Sequence, residues 1–93
     1  MRFVYRNIQF QKHPKKNWVI VRGDIHNDSG KGYNSVAFRM VIFIKGMQVV
    51  STNITVHNFG AGKNRSFEKS IEGLDYKLIE SIVRYEINPE GAY

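Results

Sequence analysis

The chain has 93 residues, enough for one domain around one core and too few for two. It is 42% hydrophobic and 13% aromatic, and Val, Ile, Phe, Tyr and Thr outweigh Leu and Ala, a bias that suits pleated sheet more than helix. Cysteine is absent, which excludes disulfides and thiolate metal sites, and the net charge of +6 sits unevenly: +9 over residues 1–65 and −3 over residues 66–93.

The first predicted element, "RFVYRNIQFQ", alternates but changes parity. Phe3 and Tyr5 share one face and Ile8 and Phe10 the other, so placing all four on one face needs an extra residue near Arg6-Asn7. "KHPKKN" is a turn, with Pro14 fixing φ and its lysines in water. "WVIVRGDIHN" is the second strand, with Val19, Val21, Gly23 and Ile25 on one face. "SVAFRMVIFI" is the third, with Val36, Phe38, Met40, Ile42 and Ile44 inward, and with Val41 and Phe43 making its other face partly apolar.

"KGMQ" predicts a short hairpin turn and "VVSTNITV" a fourth strand with Val50, Thr52, Ile54 and Val56 in phase. "HNFGAGKN" reads as a loop, and "RSFEKSI" as a returning strand. Leu74, Leu78 and Ile82 lie at helical spacing, while Val83, Tyr85 and Ile87 fit a strand. The spacing therefore predicts a loop or helical turn over 74–79, then a strand to Asn88 ended by Pro89. Six to seven short strands joined by turn residues predict an all-β fold, an antiparallel immunoglobulin-like β-sandwich over residues 1–93. Its core is expected from Val21, Ile25, Phe38, Met40, Ile42, Ile54, Phe67 and Val83.

The polar stretch "GDIHNDSGKGYNSVAFRM", Gly23 to Met40, is the natural place to look for a ligand loop. A phosphate loop requires glycine five residues before Gly30 and Ser or Thr after Lys31; Ile25 and Gly32 stand there. A calcium loop counted from Asp24 has Ser29 where glycine belongs and Ser35 where glutamate belongs. Turn chemistry remains: Asn and Asp side chains bonding nearby backbone, with glycines for positive φ. His13, His26 and His57 show no metal-ligand spacing, and there is no Gly-x-Ser-x-Gly elbow, so neither a metal, a cofactor nor an enzymatic activity is expected.

From Val19 to Phe67 the chain resembles the FxLYD-type domain of bacteria and archaea. "VRGDIHNDSGKGYNSVAFRMVIF" is similar to that family's glycine, short strand, asparagine, polar turn and alternating strand. "IKGMQVVSTNITVHNFGAGKNRSF" is similar to its hairpin, long strand, glycine loop and returning phenylalanine. Ile44 stands where the family usually has Asp, and Phe59-Gly60-Ala61-Gly62 replaces Leu-x-Pro-Gly. The resemblance implies an immunoglobulin- or fibronectin-like sandwich with no established activity. It also implies a close approach of the facing sheet at Gly23, an Asn27 side chain bonding the following turn, and a left-handed Gly62.

The expected function is a non-enzymatic module that binds or positions another protein, by strand addition at an open edge or by homo-oligomerisation there. The alternative is nucleic acid bound on a Lys/Arg surface interleaved with aromatics. Lys12, Lys15, Lys16, Arg39 and Phe43 are the candidate interaction surface. The apolar segments are too short to span a bilayer, and "MRFVYRNIQF" lacks the uninterrupted apolar run of a secretory signal, so a cytoplasmic location is expected of the chain as written, and an extracellular or cell-surface one if it is excised from a longer protein.

Overall fold

The computed structural model describes residues 2–46 and 48–93, and Met47 of the predicted hairpin turn lies outside them. Six strands form two antiparallel three-stranded sheets. The first has the order β1-β2-β5, from Phe3–Lys12, Trp18–Asn27 and Asn64–Asp75. The second has the order β4-β3-β6, from Gln48–Phe59, Tyr33–Ile44 and Ile82–Ala92. Only β1–β2 and β3–β4 are hairpins. The chain crosses between sheets after β2, after β4, and after β5 through a 3₁₀ helix at Tyr76–Ser81.

The two inner faces close on one core. Val19, Val21 and Ile25 of β2 meet Val36, Phe38, Met40, Ile42 and Ile44 of β3, with Ile54, Val56 and Phe59 of β4 and Ile71 and Leu74 of β5. Those of β2 and β3, with Ile54 and Val56, follow the period of two that a strand imposes, whereas Phe59 comes in phase after the left-handed Asn58 and Leu74 lies in the register shift of β5 against Trp18 and Val19. The parity conflict in β1 is resolved as the sequence requires. Its register with β2 shifts between Arg6 and Gln9, and Asn7 takes φ 56°. Phe3, Tyr5, Ile8 and Phe10 then all pack against the core. Phe3 and Tyr5 each stand nearly perpendicular to the Phe38 ring, with centroids 5.1 and 6.0 Å away.

Gly23 is a point of close approach, but its neighbours come from its own sheet. A Cβ there would meet the Ile8 side chain from β1 and the Phe67 ring 3.0 Å away on β5. The absent side chain thus makes room for two others.

Several expectations are corrected. Val83 is not core: it is 65% exposed. The β3–β6 register shifts between Phe43/Ile44, opposite Arg84 and Ile82, leaving Val83 as the extra residue of a bulge turned to water. Phe67 is only half-buried, because β5 is an edge strand. The strand around it is longer than "RSFEKSI", and residues 57–59, predicted as loop, continue β4. Pro89 does not end β6, which runs on to Ala92. It lies on an edge strand beside a register shift, where a missing N–H removes no bond that the sheet needs.

Candidate functional site

The five residues singled out from sequence occupy two places. Lys12, Lys15 and Lys16 belong to the β1–β2 hairpin of the first sheet, whereas Arg39 and Phe43 lie on the outward face of β3 in the second. The hairpin is closed by a bond from the His13 N–H to the Trp18 carbonyl at 2.8 Å. His13 Nδ1 accepts from the backbone N–H groups of Lys15 and Lys16 at 3.0 and 3.1 Å, so this ring is a turn element. Lys12 Nζ lies 5.2 Å from the Tyr76 ring centroid and Lys16 Nζ 5.9 Å from that of Trp18. Two of the three lysines are thus folded over aromatic faces.

On the other sheet, Arg39 pairs with Glu90 at 2.7 Å. Phe43 carries the Arg84 guanidinium 3.8 Å above its ring, and Arg84 also pairs with Glu86. Both predicted members of this face already have intramolecular partners. They form no common surface with the hairpin lysines.

The histidines are dispersed as well. His26 Nδ1 is 2.9 Å from Asn64 Oδ1 on the first sheet, and His57 Nδ1 is 2.8 Å from Ser35 Oγ on the second. Asp24, on the outward face of β2, accepts from Asn7 at 2.9 Å and Ser66 at 2.7 Å. These bonds, Asn7's foremost, hold its carboxyl below the ordinary value. Burial pushes the Tyr5 phenol up to about 12.

The polar stretch after β2 is a turn built on Asn27. Its side chain is fully buried and its amide donates to the carbonyls of Lys31, Phe59 and Gly60 at 2.8, 3.1 and 3.2 Å. Its Oδ1 accepts from the Ser29 N–H and hydroxyl. Backbone bonds to Lys63 and from Gly62, which has φ 75°, complete the junction between the β2–β3 and β4–β5 connections. Gly30 also has positive φ, whereas Gly32 does not need it. Every polar atom of Asn27 is thus spent within the fold.

The feature that the residue-by-residue reading missed is a contrast among the four edge strands. β1 carries the Asn7 bulge and two cations, Arg6 and Lys12. β6 carries Pro89, two register shifts and three charged residues. β5 turns Arg65 and Lys69 toward the inner face, in register with the core residues Ile25 and Val21. Bulges, prolines and inward charges are the devices by which natural sheets discourage further pairing. β4 has none of them.

No charged residue occurs from Gly46 to Gly62. The β4 register with β3 does not shift from Gln48 to Phe59, and its ladder skips a pair only at the left-handed Asn58 near the far end. Beside this edge a groove opens between the sheets, lined by Ile54 and Val56 of β4 and by Arg65, Phe67 and Lys69 of β5. The signal was present in the sequence as a charge-free run inside a chain in which about a quarter of the residues are charged.

Comparison with family models, curated proteins and solved structures gave no match. No helix among the described residues is long and apolar enough to cross a membrane.

Proposed function

We propose that the chain is a non-enzymatic β-sandwich module that holds a partner protein by taking an extended segment onto β4. The observation that carries this reading is the unguarded edge itself: a long, regular, charge-free strand whose outer backbone groups face away from β3, beside three edges that are each blunted. Strand addition draws affinity from main-chain hydrogen bonds and specificity from alternate side chains, which is what a regular edge beside a groove offers. The β1-β2-β5 and β4-β3-β6 orders also support an immunoglobulin-like topology of the FxLYD kind. They follow the A-B-E and C′-C-F pattern of such sandwiches without a seventh strand.

A photo-cross-linker placed in turn at Ser51 on β4, Gln9 on β1, Ser70 on β5 and Glu86 on β6 tests the reading in extract from the native host. A discrete protein adduct from the β4 position alone is expected. Adducts formed equally from all four strands, or from another edge only, would reject it.

The alternative partner is nucleic acid at the β1–β2 hairpin. Three lysines in one hairpin support it, although Lys12 already lies over Tyr76 and Lys16 over Trp18.

A further inference from the structure

If a strand is added to β4, its inward side chains will stand over the groove whose far wall is β5. That wall is not neutral, and the acidic residue among those lining it, Glu68, lies on the other face of β5 in an ion pair with Arg22. Arg65, Phe67 and Lys69 share the inner face of β5, in register with Ile25, Gly23 and Val21 of β2. Arg65 already spans the gap: its guanidinium donates to the Asn58 carbonyl of β4 at 2.8 Å, leaving other N–H groups for a ligand. Lys69 is exposed and, among the described residues, has no carboxylate within ion-pair distance. The two cations are four residues apart, roughly 13 Å along a strand, and the apolar Phe67 lies midway.

We infer that the segment taken onto β4 is acidic: an extended stretch of a partner protein with carboxylates at its first and fifth positions and an apolar side chain at its third. This rests on the strand-addition reading above. The period of two puts these three side chains on one face, matching cation, ring and cation. The uncharged β4 edge repels no acidic strand, and the net charge of +6 favours its approach. A second copy of this chain is a poorer occupant. Its β4 would present Thr52, Ile54 and Val56 inward, with no carboxylate, and the dyad would bring two sets of Arg65 and Lys69 together.

The test is an NMR titration of the isotopically labelled chain with a blocked nine-residue peptide. The peptide is threonine throughout except for glutamates at its third and seventh positions and valine at its fifth; a twin carries glutamines for the glutamates. The glutamate peptide should bind about fivefold more tightly than its twin at low salt, as expected for two partly solvated ion pairs. It should also slow amide exchange along β4. Lys69→Glu alone should reduce the preference, and Arg65→Glu with Lys69→Glu should reverse it. Equal binding of both peptides with protection of β4 would sink the acidic partner and leave the edge reading standing. No protection of β4 by either peptide at millimolar concentration would overturn both. Protection that rises with protein concentration without peptide would replace the acidic segment with a second copy.

Discussion

Asn27 shows how a residue type typical of loops becomes core. Its two amide hydrogens are shared among the carbonyls of Lys31 and Gly60 in the two connections and of Phe59 at the end of β4, and its oxygen satisfies Ser29. A fully buried carbonyl without a donor is costly, so Asn27→Ala should destabilise the fold by about 2–3 kcal/mol, more than a single exposed bond would. Asn27→Asp should be worse near neutral pH, because a carboxylate would face the oxygens of Lys31, Phe59 and Gly60. It should recover partly as pH falls and the acid regains a proton to donate. Chemical denaturation of the two variants at pH 7 and near pH 4 measures this. An aspartate variant as stable as the parent at pH 7 would show that the amide is not the source of the junction's stability. By contrast, Asp28 meets Arg2 at 3.3 Å with both side chains largely in water, and its removal should shift melting little.

At the scale of elements, the strands with the cleanest alternation were the most legible. The second strand was delimited without error, and the β1 bulge followed from a parity conflict that only an inserted residue resolves. The last strand was misread, because bulges at its two ends break the alternation on which such a reading depends. Val83 belongs to an apolar run, and nothing in its neighbours tells a bulge from a core position. Its exposure now predicts that Val83→Ala changes stability by less than about 0.5 kcal/mol, as surface changes usually do. Phe38→Ala, at a fully buried ring meeting Phe3 and Tyr5, should cost about 3–5 kcal/mol. Thermal or denaturant melts of the two variants decide the register of β6. Comparable losses in both would return Val83 to the core. The β4 edge was hidden for a different reason: strand addition was foreseen, but choosing the strand requires knowing which four strands are edges, and that is a property of sheet order.

At the scale of the whole molecule, the question is what a net charge of +6 is for. Arg2, Arg22, Arg39 and Arg84 each sit within ion-pair reach of a carboxylate, which leaves the hairpin lysines as the densest sequence-local group of cations. If that hairpin were a nucleic-acid site, neutralised phosphates would release counterions, and affinity would fall steeply between about 50 and 200 mM salt. On the strand-addition reading the charge is a diffuse field, so labelled single-stranded DNA, RNA and duplex should all bind weakly, with dissociation constants no tighter than about 10⁻⁶ M at 200 mM salt. Replacing Lys12, Lys15 and Lys16 with glutamate would then lower affinity only as far as the change in overall charge requires. Moving three charges of the same sign elsewhere, through Lys31→Glu, Lys45→Glu and Lys63→Glu, should lower it equally. Fluorescence anisotropy on both triple variants separates the cases, because a diffuse field does not distinguish which lysines are lost. Tight, steeply salt-dependent binding abolished only by the hairpin triple would move the functional surface from β4 to the β1–β2 hairpin.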